Sequence, residues 1–292
     1  MSPEQYCQDK AAKSGSSFYY SFIFLPEQQR QAITALYAFC REVDDIVDSD
    51  MDTTLKKTKL HWWKNEIDAL YKHAPQHPVT RALQTALRHY DLPQEQFHEI
   101  IDGMLMDTEQ VQYESFKSLA LYCYRVAAVV GLLAAEIFGY QDRRTLKYAH
   151  DLGIAFQLTN ILRDIGEDAR HGRVYLPQDE LSQFGVSNRD ILQGKTSEQF
   201  IQLMQFQAQR ARQYYESAYA HLPEADRYSQ RAGIIMSAIY QNTLQEITND
   251  GFRVLQHRIK LTPLRKFWLA WKTMRREKHR HKQWLRQHPQ HS

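Results

Sequence analysis

Acidic residues crowd into the stretch CREVDDIVDSD, residues 40–50, which places five carboxylates in eleven positions. Like charges this close along a helix repel one another, so the stretch must face either solvent or a strongly positive partner such as metal ions. Because each helical residue advances by about 100°, Asp44 and Asp48 share a stripe that borders the apolar face, whereas Asp45 points away from it. A purely solvating cluster would be centred on the far side of the helix.

The same arrangement recurs in FQLTNILRDIGED. Gln157, Asn160, Asp164 and Asp168 fall on a polar stripe beside the apolar stripe of this predicted helix, and Glu167 points elsewhere. Carboxylates four residues apart lie about 5–6 Å apart at their Cβ atoms, close enough to bind one hard cation or two adjacent ones. The repeated pattern predicts one cavity with acidic residues at its mouth.

Such a mouth suits Mg²⁺. This ion prefers oxygen ligands, keeps several waters, and is usually held by one or two carboxylates together with phosphate oxygens of a substrate. The apolar surface beside the acids predicts a ligand with an apolar tail. We therefore expect Mg²⁺ as cofactor and a diphosphate with an apolar chain as ligand. Single acid pairs at this spacing are common on solvated helices, but two pairs beside apolar stripes favour the metal interpretation.

The elements that must position these acids are predicted to be helices. Helical periodicity dominates from residue 27 onward, and SLALYCYRVAAVVGLLAAEIFGY is apolar all round, as is typical of a helix at the centre of a core. The segment SFYYSFIF could be a buried strand or the start of a helix. Eleven glycines in 292 residues, no repeat and no low-complexity linker predict an all-α domain over residues 1–264, followed by a basic appendage over 265–292.

Composition excludes several classes of protein. Three widely spaced cysteines imply no disulfide framework and fit a reducing, cytoplasmic environment. The first residues lack the apolar core of a signal peptide, and no uninterrupted apolar stretch reaches the roughly 18 residues of a spanning helix. The histidines form no zinc ligand set, and no glycine-rich nucleotide-binding motif is visible.

The charge is unevenly distributed. Residues 265–292 contain nine Lys or Arg and one acid, a net charge of +8, so the rest of this +3 chain carries −5. Phe267, Trp271 and Met274 share a predicted helix face with Leu264, and tryptophan beside basic residues is typical of an interfacial helix. We expect peripheral contact with the inner face of a membrane. The alternative is that residues 261–274 pack on the core and the remainder is a disordered, solvated tail. The acidic body argues against a nucleic-acid partner.

Several motifs resemble those of the squalene/phytoene synthase family. YAFCREVDDIVD resembles the family's first aspartate motif, and FQLTNILRDIGEDARHGRVYLP resembles the second. GSSFYYSFIFLPEQQRQAITALYAFCR is similar to its N-terminal substrate segment, and YCYRVAAVVG to its central helix. The resemblance extends from about residue 6 to about residue 260. Within the family, YRVAAVVGLLAAEIFGY and IDGMLMD are most similar to presqualene diphosphate synthases of the hopanoid pathway.

The resemblance implies a class I isoprenoid synthase fold, a single-domain helical bundle around a central cavity. It implies that Asp44 and Asp48 form one metal-binding pair, and that Asn160, Asp164 and Asp168 form a second set. The resemblance also implies a set of residues that contact diphosphates or line the substrate pockets: Ser17, Phe18, Tyr37, Arg41, Tyr124, Gln157, Arg163 and Tyr240. Arg258 would be a further diphosphate contact. Tyr124 would act in catalysis together with the four aspartates.

The implied reaction is an Mg²⁺-dependent, head-to-head (c1′-2-3) condensation of two farnesyl diphosphates to presqualene diphosphate for squalene or hopanoid biosynthesis. Aromatic faces would stabilise the allylic cation; the proton acceptor is left open between a tyrosine-centred network and the departed diphosphate. The alternatives within the family are a phytoene or dehydrosqualene synthase and a complete squalene synthase. Outside enzymes, the alternative is a helical protein that binds a cation or a membrane. The oligomeric state is left open.

Two further features of the sequence concern the cavity and the acidic residues. Ala128 stands where the family pattern has glycine, so its methyl group would narrow the cavity or tighten a helix contact. Asp102 and Asp107 are five residues apart, share no helix face well, and are interpreted as structural or solvated.

Overall fold

The computed structural model describes residues 1–13, 18–109 and 112–289, and these are arranged as helices without a β-strand, which confirms the all-α prediction. The helices are α1 (Pro3–Lys13), α2 (Phe18–Phe22), α3 (Glu27–Asp48), α4 (Thr53–Tyr71), α5 (Pro78–Ala86), α6 (Gln94–Glu109), α7 (Phe116–Cys123), α8 (Val129–Phe138), α9 (Arg144–Arg170), α10 (Gln178–Gln183), α11 (Asn188–Leu192), α12 (Glu198–His221), α13 (Arg231–Asn249) and α14 (Pro263–Gln287), with a π turn at Tyr124–Ala128 and 3₁₀ turns at Glu224–Asp226 and Arg253–Leu255.

Helix α3 carries the first acidic stretch. Pro26 precedes it with φ −53°, a residue that fits the start of a helix because its missing N–H needs no partner there. Leu36 and Val43 are fully buried, and they pack with residues of α4, α5 and α6 in one of the two large apolar cores. The predicted apolar stripe of this helix is therefore confirmed.

Helix α9 carries the second acidic stretch and lies at the centre of the other core, where it packs on α7, α8, α12 and α13. Near its acidic end, Gly166 allows the 3₁₀ turn at Arg253–Leu255 to approach very closely. A Cβ on Gly166 would lie 2.4 Å from the carbonyl oxygen of Val254. The missing side chain thus brings the segment that leads to Arg258 against the acidic end of α9.

The apolar segment predicted as one helix is interrupted by the π turn at Tyr124–Ala128. Single π turns are rare within helices and frequently occur at functional sites. Ala128 is fully buried, and its backbone faces Gly153 of α9, where an added Cβ would lie 2.6 Å from the Ala128 Cα. Ala128 therefore belongs to a tight helix contact, one of the two roles expected for it.

By length and composition alone, the segment Phe116–Phe138 could also cross a membrane. In the structure it lies among α3, α6 and α9, and its fully buried residues Leu119, Val129 and Leu133 belong to the two large cores. The segment therefore packs against both cores, and 39% of its most apolar window is buried.

The basic C-terminal segment forms α14, which begins at Pro263 with Thr262 as its N-cap and continues to Gln287. Leu269 and Ala270 pack with Ile235 and Ile239 of α13 in a small third core. The alternative of a disordered tail after residue 274 is wrong for the described residues, because the helix continues through them. The division into a domain and an appendage stays a prediction.

Substitution of Gly153 by Ala should destabilise the fold. The added methyl would meet backbone atoms, the Ala128 Cα at 2.6 Å and the Ala127 carbonyl oxygen at 2.7 Å, so α9 or the π turn must move. We expect a loss of about 1–3 kcal/mol in the free energy of unfolding, typical of overpacking, which exceeds the gain of about 1 kcal/mol in helix propensity. Urea unfolding measures this directly, and an unchanged midpoint and slope would contradict the close contact.

Candidate active site

A cavity of about 320 Å³ lies between the two large cores and is lined by α3, the α7–π–α8 segment, α9 and α13. Most of its wall is apolar, including Leu36, Val130, Phe156 and Met236. Arg41, Asp44 and Arg163 supply charged groups to the lining, and Asn160, Gln157 and Gln230 supply amides. Pockets of this kind, apolar with a few placed polar groups, are typical of small-molecule sites. The cavity suits a ligand with a charged head and an apolar chain.

The structure brings most of the predicted site residues together. Seven of them line the cavity, namely Tyr37, Arg41, Asp44, Gln157, Asn160, Arg163 and Tyr240. Asp48, Asp164 and Asp168 follow on the same stripes of α3 and α9. Ser17 lies outside the described residues, as does the side chain of Phe18, whose backbone begins α2.

The role predicted for Tyr124 stays a prediction. It is not among the described residues that line the cavity, and its ring lies 5.9 Å from that of His150, measured between centroids. Tyr122, two residues earlier, lines the cavity instead. Tyr124 opens the π turn and packs against both large cores.

On α3, the two neighbouring aspartates have different surroundings. Asp44 lines the cavity and pairs with Arg41. Asp45 is outside the lining, and it pairs with Arg41 and with Lys10 of α1, at 2.9 Å for Lys10. Asp48 receives a 3.3 Å contact from the Arg173 guanidinium, which belongs to the loop after α9. The predicted difference between the faces of Asp44 and Asp45 is therefore confirmed, although Asp45 is ion-paired rather than simply solvated.

On α9, Asp164 is held between two guanidinium groups. Nε of Arg163 lies 2.8 Å from its carboxylate, and Nε of Arg258 lies 2.7 Å from it. Arg258 also contacts Glu167 at 2.9 Å. Asn160 donates to Gln157 at 3.3 Å, whereas its buried carbonyl oxygen Oδ1 has no hydrogen-bond partner. A buried acceptor without a donor is costly, and a cation would satisfy it.

Asp107 of α6 lies near Asp44 and Asp168, a position that the spacing of the sequence did not indicate. Its carboxylate accepts hydrogen bonds from Tyr122 at 2.7 Å and Tyr175 at 2.9 Å, and Arg173 lies close enough to lower its pKa. It is not solvated, contrary to one of the two interpretations given to it. Asp102, by contrast, is paired with Lys64 at 2.5 Å. No local spacing could mark Asp107, because its partners are 15 and 68 residues away.

Three carboxyl groups hold protons more tightly than ordinary aspartates. Burial, then the neighbouring Asp164, raises the pKa of Asp168 to about 7. Burial and then Asp48 raise the pKa of Asp44 to about 6, although 38% of its side chain remains exposed and water moderates the effect. Burial also raises the pKa of Asp107 to about 6, against its two tyrosine donors. Like charges gathered where water is scarce favour a positive partner.

The donor set fits Mg²⁺ in a particular way. Within the described part of the chain, no three His, Cys, Asp or Glu side chains converge on one metal position. The oxygen donors are instead divided between α3 and α9, and they include the unpartnered Asn160 Oδ1. Mg²⁺ is commonly bound by one or two carboxylates plus substrate phosphates rather than by a complete protein cage. The residues present therefore fit Mg²⁺ that arrives together with a phosphorylated ligand.

Comparison with known proteins identifies the family. The sequence profile of the squalene/phytoene synthase family matches residues 11–265. A 15-cis-phytoene synthase from Synechococcus elongatus is 34% identical over 272 residues, which cover 89% of this chain and 88% of that enzyme.

Solved structures confirm the fold. A dehydrosqualene synthase in complex with a ligand superposes with a TM-score of 0.83 at 28% identity, covering 95% of this chain and 97% of that one. The squalene synthase HpnC from Alicyclobacillus acidocaldarius gives a TM-score of 0.76 at 24% identity, covering 86% and 94% of the two chains. The predicted helical isoprenoid synthase fold is thus confirmed.

Stabilisation of the protein by Mg²⁺ should increase with pH. Between about pH 4 and pH 7 the folded chain binds more protons at Asp44, Asp107 and Asp168 than the unfolded chain, whose aspartates titrate near 3.9. The metal-free stability that depends on these groups therefore falls as pH rises through that range. Mg²⁺ would replace the protons of Asp44 and Asp168, so it should raise the melting temperature more at about pH 8 than at about pH 5.5.

Thermal melts with and without Mg²⁺, and with inorganic diphosphate present throughout, measure this. Asp168→Asn should reduce the pH dependence of the Mg²⁺ effect, whereas the control Asp102→Asn, at a carboxylate paired with Lys64, should leave it unchanged. An Mg²⁺ effect of equal size at both pH values would contradict metal binding at Asp44 and Asp168.

Proposed function

Because the chain belongs to the squalene/phytoene synthase family of prenyltransferases, we propose that it condenses two farnesyl diphosphates head to head to presqualene diphosphate. The supporting observation is a cavity that joins apolar walls to Arg41 and Asp44 of α3 and to Asn160 and Arg163 of α9. Two charged heads and two apolar chains need this combination. Mg²⁺ is the proposed cofactor, and the proposed pathway is squalene or hopanoid biosynthesis.

The charged mouth would bind the diphosphates. Asp44 and Asp48 on α3, and Asn160, Asp164 and Asp168 on α9, would hold Mg²⁺, which supplies positive charge that stabilises the departing diphosphate. Arg41 and Arg163 border both the acids and the cavity, so their guanidinium groups can donate to diphosphate oxygens. Arg258, which contacts Asp164, is placed to assist at the rim.

The cavity wall would protect the allylic cation that remains. Aromatic rings of Phe22, Tyr37, Phe156 and Tyr240 contribute to the lining, and the Phe156 and Tyr240 rings lie 4.7 Å apart. Their faces attract a cation without adding to it. Burial of the wall excludes water that would otherwise quench the cation, so the double bond of the second substrate is the available nucleophile.

Closure of the cyclopropane ring requires loss of one proton. Tyr122 lines the cavity, and its hydroxyl donates to the buried Asp107 at 2.7 Å. This pair provides the tyrosine-centred network considered from the sequence: the Tyr122 oxygen can accept the proton while its own proton passes to Asp107. Burial raises the pKa of Asp107 to about 6, which makes this carboxylate a stronger base than an ordinary aspartate. The departed diphosphate is the other candidate acceptor.

The choice of presqualene diphosphate is supported by the sequence of the cavity wall. YRVAAVVGLLAAEIFGY supplies Val126, Ala127, Val130 and Ala134 to the lining. This is the stretch whose sequence resembles that of hopanoid-pathway enzymes. The motifs account for ionisation of one prenyl diphosphate and attack by a second. No glycine-rich dinucleotide motif accompanies them, so release before reduction is the simpler outcome.

Phytoene synthesis from geranylgeranyl diphosphate is the second candidate. It is favoured by the names of relatives, since the Synechococcus elongatus protein and an Arthrospira platensis protein, 34% and 35% identical to this chain, are phytoene synthases. Ala128 gives no reason to choose between the two, because it contacts Gly153 and is absent from the described lining of the cavity.

Incubation of the full chain with farnesyl diphosphate, Mg²⁺ and NADPH should yield presqualene diphosphate, identified by mass spectrometry of phosphorylated and neutral lipids. Omission of NADPH should leave the product unchanged, because no hydride is consumed, and excess EDTA should abolish it. Squalene as the main product would instead identify a complete squalene synthase, and hydroxysqualene a second ionisation quenched by water. Phytoene from geranylgeranyl diphosphate, with farnesyl diphosphate inert, would assign the chain to the second candidate.

Asp44→Asn should lower turnover by about 100-fold or more, the usual effect of removing a group that stabilises developing charge. Asp164→Asn should behave alike. Asp45→Asn, the matched control one residue away, should change turnover by less than about fivefold, because Asp45 is paired with Arg41 and Lys10 outside the cavity lining. Steady-state rates over an Mg²⁺ titration, with a melting curve for each variant, measure this. Equal losses for Asp44→Asn and Asp45→Asn would show that the assignment of the two helix faces is wrong.

A further inference from the structure

Helix α14 has two opposite faces. One packs on α13 through Leu269, Ala270 and Thr273, which are buried. The other exposes four large apolar side chains: Leu264 is 83% exposed, Phe267 50%, Trp268 51% and Trp271 43%. Isolated exposed apolar residues are ordinary, but four within two turns of one helix form a patch of the kind that marks an interaction site.

Basic side chains surround and extend this patch. The Lys272 ammonium lies 4.7 Å from the centre of the Trp268 ring, and the Arg275 guanidinium lies 4.9 Å from the centre of the Trp271 ring. Further along the same face, Lys278, Lys282 and Arg286 are exposed. The outer face of α14 therefore consists of an aromatic half followed by a cationic half.

The structure changes the composition of the face expected from the sequence. Met274 is only partly exposed and packs with the third core, so it belongs to the side that contacts α13. Trp268 takes its place on the exposed side, between Leu264 and Trp271. The result is a face with two exposed tryptophans, side chains that favour the boundary between lipid and water.

The aromatic half begins close to the mouth of the cavity. Arg258 is ion-paired with Asp164, and α14 starts five residues later at Pro263. Lys266 in its first turn has its pKa lowered by burial and by the nearby charges of Arg163 and Arg258. A ligand that leaves the charged mouth is therefore near the exposed aromatic residues.

We propose that the outer face of α14 docks the protein on an anionic lipid bilayer, with Leu264, Phe267, Trp268 and Trp271 in the interface and the basic half against the headgroups. The charge decides among the possible occupants: +8 for residues 265–292 opposes contact with a second copy of the same face, and an anionic surface attracts it. Apolar side chains on one face with Lys and Arg beside them are the composition of an interfacial helix. The proposal depends on the exposed face of α14, and it holds whichever product the enzyme forms.

Co-sedimentation of the full chain with vesicles tests the proposal. Vesicles of phosphatidylcholine with phosphatidylglycerol should bind the protein at least tenfold more tightly than phosphatidylcholine alone, and high salt should weaken the binding because the attraction is screened. The double variant Trp268→Ser/Trp271→Ser should lose at least tenfold in affinity. Its control, Trp62→Ser, removes a tryptophan exposed on α4 and should bind as the unchanged chain does.

The double variant Lys278→Glu/Lys282→Glu tests the charge separately and should lower binding to the anionic vesicles. Its control, Lys117→Glu/Lys147→Glu, changes two exposed lysines outside α14 and should leave the binding unchanged. Melting curves establish whether each variant is folded. If Trp268→Ser/Trp271→Ser does not fold, the result for Lys278→Glu/Lys282→Glu decides whether the proposal stands. The proposal would be overturned if the full chain did not bind the vesicles, or if the α14 variants bound them as tightly as the full chain. It would also be overturned if sedimentation velocity showed a dimer that Trp268→Ser/Trp271→Ser dissociates. Turnover of detergent-dispersed substrate distinguishes loss of docking from loss of activity.

Discussion

The structure depends on the gathering of carboxylates where water is scarce. Asp44, Asp107 and Asp168 all have raised pKa values, each because of burial first and neighbouring carboxylates among the further causes. Such an arrangement is unfavourable by itself, since each buried like charge disfavours ionisation of the others. Nearby guanidinium groups offset part of the cost, that of Arg41 at Asp44 and that of Arg173 at Asp107 and Asp168. Cations that arrive with a charged ligand would offset more of this cost. The repulsion between the carboxylates therefore favours binding of such a ligand.

The fold supplies the rigidity that keeps these acids together. α3 and α9 each belong to a different apolar core, so the acids are held by two packed bodies rather than by loops. Close helix contacts at Gly153 and Gly166 set the position of α9 relative to the π turn and to the segment that carries Arg258. The same two cores leave between them the cavity that receives the apolar part of a ligand. Packing in the two cores therefore offsets the unfavourable free energy of the buried acids.

The local periodicity of the sequence was sufficient to predict the helices and much of the candidate site. The stripes of α3 and α9 follow from residues three and four positions apart, which is why Asp44 could be distinguished from Asp45 and why Gln157 and Asn160 were placed correctly beside the cavity. The segment around Tyr122 and Tyr124 is apolar all round, so no amphipathic pattern could show which tyrosine lines the cavity. Asp107 is defined by contacts with distant residues, and the orientation of α14, with Met274 inside and Trp268 outside, depends on its packing against α13. Information of that kind is tertiary and leaves no local pattern.

The central claim is that the acids of α3 and α9 act on one ligand through shared cations. The most direct measurement is a crystal structure with Mn²⁺ and a farnesyl thiodiphosphate, an unreactive substrate analogue, using the anomalous signal of the metal. We predict anomalous peaks between the diphosphate and both acidic sets, Asp44 with Asp48 and Asn160 with Asp164 and Asp168, and an apolar chain in the cavity beside Phe156. A diphosphate bound by arginines without metal, or metal bound at only one helix, would contradict the account.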